Sequence, residues 1–191
     1  MASDAAKEIE QALALDADPT RGKVVFELCA TCHLDTGHGK KDGSFPVLAG
    51  QHSSVLIKQL ADIQARNREN PTMYPFSDAE TIGGVQAIAD VTAYIHTLPG
   101  TQDNGKGDGE ALALGDKLYA AQCAACHGKD GEGNADAFFP RLKGQHYAYL
   151  ARQIRWMRDG FRKNGNAAMV ELVKKLSDDE INALADSISR L

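Results

Sequence analysis

Two segments of the chain carry thiols and an imidazole at a chemically suggestive spacing: Cys29-Ala30-Thr31-Cys32-His33 and Cys123-Ala124-Ala125-Cys126-His127. Each reads C-x-x-C-H, the attachment pattern of a c-type haem. Thiols three positions apart on a helical turn can each bond one vinyl group of the same porphyrin. The adjacent histidine then meets the iron as its proximal ligand. Together the two motifs use all four cysteines of the chain. A thioredoxin-like redox pair belongs in a βαβ pattern, and this sequence has none. A single Cys₄ zinc site built from both pairs leaves unexplained why pairs 94 residues apart each have their own histidine in the same place. A structural disulfide is poorly placed inside one turn of helix. The expectation is two covalently bound haem c groups, held by Cys29, Cys32, Cys123 and Cys126, with His33 and His127 on the iron.

The sixth position on each iron sets the chemistry. An open site permits gas or peroxide chemistry, a filled one favours electron transfer, and a thioether opposite histidine raises the potential. Of four methionines, Met73 and Met169 hold equivalent places, each three residues after an asparagine and ahead of a Ser-Asp-x-Glu stretch. They are the expected axial ligands. Met157 has no counterpart in the first half and reads as packing. His38, His52, His96 and His146 are the competing donors; His52 and His146 are paired, yet both directly follow Gly-Gln at the start of a helix. A proximal histidine holds its ring by donating its other N–H, and the carbonyls of Pro46 and Pro140 are the candidate acceptors. Asn70 and Asn166 are candidates to donate towards the methionine sulfur or to cap a loop. Arg66 and Arg162 are candidates to neutralise haem propionates or to stand exposed at the surface.

These residues recur because the chain repeats itself. At a separation of 94, Phe45-Pro46, Leu48 and Gly50-Gln51-His52 return as Phe139-Pro140, Leu142 and Gly144-Gln145-His146, and Gln59 returns as Gln153. The register slips by two for Arg66, Asn70 and Met73 against Arg162, Asn166 and Met169. It reaches 100 at Ser77 and Ser177 and settles at 93 for Ile88 and Ile181. The organisation is an N-terminal extension over 1–18, a first domain over 19–99, a linker over 100–109 and a second domain over 110–191. The Gly/Asp-rich linker has no apolar face, although a connection so short is able to hold two domains face to face.

The elements are helical, with no sustained strand alternation. Helices are expected over 21–31 and 115–125, leading into the cysteines, and over 52–65 and 146–160. Further helices should follow capping boxes at Ser77-Asp78-Ala79-Glu80 and Ser177-Asp178-Asp179-Glu180. Residues 1–18, with Ile9 and Leu13 one turn apart, read as an added amphipathic helix or a remnant of processing. Domains this small need a staple, and a covalent haem supplies one.

Composition closes off other classes. In 191 residues, 43% hydrophobic and 25% charged, there is no apolar run long enough to span a membrane. The N-terminus has neither a basic start nor an apolar stretch, so no signal peptide is expected in this chain. The net charge of −5 argues against nucleic acid. Residues 1–99 hold 8 basic and 13 acidic side chains, against 12 and 11 in residues 110–191. Much of that second-half excess is Arg152, Arg155, Arg158, Arg162 and Lys163, read either as a solvated helix face or as a docking or propionate-binding surface.

Taken together, the paired C-x-x-C-H motifs, the Pro-x-Leu-x-Gly-Gln-His segments and a methionine about forty residues on resemble the dihaem class I cytochromes c of the cytochrome c-four type. The resemblance covers about residues 19–191. It implies an all-α fold of two tandem class I cytochrome c domains, related by pseudo-twofold symmetry, with propionates near the interface. It also implies a periplasmic electron carrier, soluble or loosely membrane-associated and a monomer or weak dimer. Such a carrier is exported, because haem is attached to reduced cysteines outside the bacterial cytoplasm. Its partners would be a quinol:cytochrome c reductase or dehydrogenase as donor and a terminal oxidase as acceptor. Two other readings are a cytochrome subunit of a larger dehydrogenase and a dihaem peroxidase; the paired methionines argue against the latter. Leu34 stands where the second motif has Gly128, and Tyr149 where the first repeat has Val55.

Overall fold

The computed structural model describes residues 4–191. Among them the only strand-like feature is an isolated bridge between Asn134 and Phe139. Five helices build the first half: α1 (Asp4–Ala14), α2 (Pro19–His33), α3 (Ser53–Gln64), α4 (Ala79–Ile82) and α5 (Val85–Thr97). Five build the second: α6 (Leu112–Leu118), α7 (Ala124–His127), α8 (Tyr147–Arg158), α9 (Ala167–Val173) and α10 (Asp178–Ile188).

In each half the helix that carries the cysteines crosses the last helix. α2 starts on Pro19, whose missing N–H costs nothing at the first helical position, and the Asp18 carboxylate accepts from Thr20 N–H at 2.7 Å. Its Phe26 packs with Leu56, Val91 and Ile95, against Cys29, Leu48 and Leu98. In the second half Leu150, Ile154, Ile181, Leu184 and Ile188 form the corresponding core. The helix leading to Cys123 is not uniform. A π-helical turn, Tyr119–Cys123, joins α6 to α7. It absorbs one extra residue: the crossing glycines Gly22 and Gly115 are 93 apart, the cysteines 94.

Several expectations change. α1 does pack on α3 and α5, but through Ala5, Ile9 and Ala12; Leu13 is 45% exposed. The stripe follows the i, i+3/i+4 rule through small side chains that the eye passes over. Met1, Ala2 and Ser3 of the expected extension lie outside the described residues. The second capping box forms, with Ser177 and Glu180 reciprocally bonded. The first does not. Ser77 is fully buried and its hydroxyl donates to the Tyr74 carbonyl, closing a 3₁₀ turn over Tyr74–Phe76, so Asp78 caps α4 instead. Consecutive glycines, Gly83 and Gly84, both at positive φ, then break α4 from α5.

The linker is a strap fastened to the second half. Buried Asn104 donates to the carbonyls of Gln145 (2.8 Å) and Ser189 (2.7 Å), and the Asp186 carboxylate accepts from Gly107 and Gly109 N–H. Side chains, not composition, decide its order.

Leu34 is strained. At φ 65°, ψ 158° it occupies a region open essentially to glycine alone. Leu34→Gly should therefore raise stability by about 1 kcal/mol, since relieved strain outweighs the glycine entropy cost. Chemical denaturation of the two proteins reads this directly; an unchanged or lowered midpoint would count against it.

Candidate haem sites and the domain interface

The two motif histidines, His33 and His127, are positioned alike. The His33 Nδ1–H donates to the Pro46 carbonyl at 3.0 Å, and the His127 Nδ1–H to the Pro140 carbonyl at 3.0 Å. Both rings are buried. Burial pushes each imidazole below its ordinary pKa, against the opposing pull of the carbonyl bond, and with Nδ1 donating, Nε2 is left free. The prolines sit on loops tied back to the motif: Gly39 N–H bonds the His33 carbonyl at 2.9 Å, and Gly133 N–H the His127 carbonyl at 2.8 Å. A Cβ at Gly39 would lie 2.4 Å from the Pro46 oxygen, so only glycine lets the loop close here. Phe45 and Phe139 flank the two imidazoles, with ring centroids 5.9 and 6.2 Å away.

In the first half, Cys29, Cys32, His33 and Met73 line one pocket with Leu28, Thr31 and Phe76. Two thiols, an imidazole and a thioether around an apolar slot are a donor set that fits haem c. In the second half, Cys123 and Met169 pack against a single core. Burial pushes the Cys29 and Cys123 thiols up to about 11. Met157 is also in that second core, 8% exposed, as packing. Cys29 belongs to the first core and Cys123 to the second, which gives the Cys₄ zinc alternative no geometry.

Both asparagines act as caps. Asn70 Oδ1 accepts from Met73 N–H (3.3 Å), and Asn166 Oδ1 accepts from Ala168 N–H (2.9 Å) at the start of α9, the helix that carries Met169. Their carbonyl oxygens thus hold the methionine segments.

Arg66 takes the exposed of its two expected places. It is exposed at φ 61°, with its guanidinium 3.2 Å from the centre of the Tyr74 ring. The partner of Arg162 is Arg68, 94 residues away, so the first register persists two positions further than the repeat suggests. Buried Arg68 donates to Gln59 (2.7 Å), the Tyr149 hydroxyl (2.9 Å) and Gln153 (3.0 Å); Arg162 donates to Gln153 (2.9 Å), Gln59 (3.1 Å) and Asn164 (3.0 Å). The repeated glutamines, Gln59 and Gln153, are shared by arginines of both halves. Burial and then Arg68 push Arg162 down to about 9. Burial raises the Tyr149 phenol, but Arg68, Arg162 and Arg152 outweigh it and lower it overall. Two guanidiniums meet here, and the nearby carboxylate, Asp62, is already paired with Lys58.

The arginines of the basic stretch are half-buried and bonded within the chain. Arg152 donates to the Gly43 carbonyl across the interface at 2.6 Å; Arg155 and Arg158 bond Asp178. Of the five residues, Lys163 is the one left exposed. Four of the five side chains thus already have hydrogen-bond or ion-pair partners within the chain.

The Gly-Gln-His segments clasp the halves reciprocally. Gln51 Nε2 donates to the Arg141 carbonyl (2.9 Å) and its Oε1 accepts from Arg141 N–H (2.8 Å). Gln145 does the same with the carbonyl and N–H of Val47, both at 2.9 Å. His52 donates to the Glu132 carbonyl and His146 to the His38 carbonyl, each at 2.8 Å. His146 also accepts from Gly105 N–H at 3.0 Å, so it is neutral with its proton on Nε2. These contacts account for the paired histidines without placing them on iron.

His146 makes the clasp sensitive to acid. Burial lowers its pKa, with the His38 and Lys41 charges adding to this and the His38 carbonyl and Asp42 opposing it. The unfolded chain therefore takes up the proton first. The stabilisation is full above pH ~6.5 and is lost as pH falls through the folded value. Thermal unfolding should show a fall in stability below that pH that His146→Gln flattens; identical pH profiles for the two proteins would contradict this.

Fold and paired cradles together define the class, a c-type cytochrome with two haem domains in one chain. The family profile "Cytochrome c" matches residues 19–99, and "Cytochrome C oxidase, cbb3-type, subunit III" matches residues 110–186. Cytochrome c4 of Azotobacter vinelandii is 32% identical, over 92% of this chain and 89% of that protein. The "Thiosulfate dehydrogenase electron acceptor" of Stutzerimonas stutzeri is 36% identical, over 83% and 76%. The crystal structure of reduced recombinant cytochrome c4 from Pseudomonas stutzeri superposes with a TM-score of 0.81 at 32% identity, over 92% of this chain and 100% of that one. This chain belongs to the cytochrome c4 family. It is a dihaem electron-transfer cytochrome whose covalent haems are carried on Cys29 with Cys32 and on Cys123 with Cys126.

Proposed function

We propose that this protein is an electron carrier of the bacterial periplasm, not an enzyme, with both irons closed by histidine and methionine. The observation that carries this reading is Met73 lining the same pocket as His33, Cys29 and Cys32. His33 and Met73 would hold the first iron, His127 and Met169 the second. Haem supplies the one-electron ferric/ferrous couple. Around it the chain's own task is to keep the ligands fixed. Pro46 and Pro140 orient the imidazoles, Asn70 and Asn166 hold the methionine segments, and the apolar walls exclude water. Arg68 and Arg162 would meet the haem propionates, because one buried and one half-buried guanidinium side by side need anions that the interface side chains do not supply in full.

The donor would be a quinol:cytochrome c reductase or a dehydrogenase, and the acceptor a terminal oxidase. Similarity to a thiosulfate dehydrogenase electron acceptor supports a thiosulfate dehydrogenase as that donor. Among the described residues no helix is long and apolar enough to cross a membrane. To test the carrier role, the reduced protein is mixed with oxidase-containing membranes and the oxidised protein with purified thiosulfate dehydrogenase plus thiosulfate. Rapid, saturable turnover in both directions supports a carrier. Peroxide reduction by the isolated protein at enzymatic rates would overturn the reading.

A further inference from the structure

The reciprocal glutamines do more than join the halves. Pro46 C=O and Val47 N–H belong to one peptide group. Its carbonyl accepts the His33 Nδ1 proton at 3.0 Å, and its N–H is accepted by Gln145 Oε1 at 2.9 Å. The same arrangement runs the other way. The peptide between Pro140 and Arg141 accepts from His127 at 3.0 Å and gives its N–H to Gln51 Oε1 at 2.8 Å. Each amide orientation is determined, since Nε2 donates to a carbonyl while Oε1 also receives the N–H of the following histidine, His52 or His146.

Hydrogen bonds in series polarise one another, most strongly away from water. An acceptor on the peptide N–H makes its carbonyl more negative and so a better acceptor for the imidazole proton. A stronger Nδ1–H bond makes the ring a more basic ligand, which favours ferric iron. Gln145, in the second domain, thus acts on the first domain's histidine, and Gln51 acts on the second's. Both Gln145 and Val47 are buried, so water is poorly placed to replace the bond.

We propose that Gln51 and Gln145 are crossed positioning residues, each setting the reduction potential of the haem in the opposite domain through the peptide that holds its proximal histidine. The proposal rests on His33 and His127 being the proximal ligands.

The test is a redox titration of the holoprotein followed by NMR, with the two haems resolved, on Gln145→Met and Gln51→Met. Gln145→Met should raise the potential of the first haem and leave the second within error; Gln51→Met should do the reverse. The expected change in each reduction equilibrium is a few-fold, where tenfold corresponds to about 59 mV for one electron. His52→Asn and His146→Asn loosen the same clasp without touching either relay, and should not reproduce the crossed pattern. Equal shifts of both haems, a shift confined to the mutated domain, or no shift would overturn the proposal. Optical spectra of the same samples separate the two failures. Loss of the low-spin signature in the wild-type protein would refute the ligand assignment, whereas an intact signature without crossed shifts refutes the relay alone.

Discussion

Met73→Ala should open one iron and leave the other closed. The far-red methionine–iron band of the oxidised protein should fall to about half, and carbon monoxide should shift about half of the reduced haem absorbance. The potential of the first haem should drop, because the neutral thioether that favours ferrous iron is gone. Met169→Ala should do the same to the second haem, and the double variant should lose the band entirely. Met157→Leu is the control. That side chain is buried with Leu150, Ile154 and Val173 in the second core, so the substitution should cost little stability and leave the band intact. A band halved in Met157→Leu and kept whole in Met169→Ala would exchange the roles of the two methionines.

Gly22→Ala and Gly115→Ala should each be strongly destabilising, against the usual sign. Alanine in place of glycine inside a helix normally gains about 1 kcal/mol. Here a Cβ on Gly22 would lie 2.0 Å from the Asp90 carbonyl oxygen and 2.9 Å from Tyr94 Cβ. On Gly115 it would lie 2.1 Å from the Ala183 carbonyl oxygen and 2.8 Å from Ser187 Cβ. The obstacle is backbone in both cases, so the helices must separate across the whole crossing. A loss of ~3 kcal/mol is expected, lowering the melting temperature of the affected domain by on the order of 10 °C or more. Differential scanning calorimetry should show Gly22→Ala acting first on one domain and Gly115→Ala on the other. Unchanged melting would mean that the helices do not cross at these glycines. The same pairs show how the repeat is kept physically: Gly22 and Gly115, and Asp90 and Ala183, hold one register, and only backbone contact needs it.

Much of the site was legible because its chemistry is local. Two thiols and an imidazole within five residues declare a haem, and a proline 13 residues past each histidine declares the carbonyl that orients it. Repetition extends this reach to Met73, Asn70 and their counterparts. What escapes is non-local or hidden by small changes. Arg66 masks Arg68 in the sequence, because a register slip placed a few residues too early pairs the wrong arginine with Arg162. Only the shared Gln59 and Gln153 show which arginine faces it. Gln51 and Gln145 are visible as repeats, but a hydrogen bond to the opposite domain leaves no mark in local spacing. The first capping box fails because Ser77, matching in type, is consumed by the turn before it. The linker's order depends on Asn104 and Asp186, which sequence composition reads as ordinary polar residues.

Whether both irons are closed can be read from optical spectra of the wild-type protein, oxidised and dithionite-reduced, with carbon monoxide then added to the reduced form. An electron carrier with His/Met ligation at both sites should show two haems per chain, sharp low-spin bands, a methionine–iron band in the oxidised state and no response to carbon monoxide. A carbon monoxide shift of about half the haem would mean an open iron, and with it a ligand-binding or enzymatic role that contradicts a pure carrier.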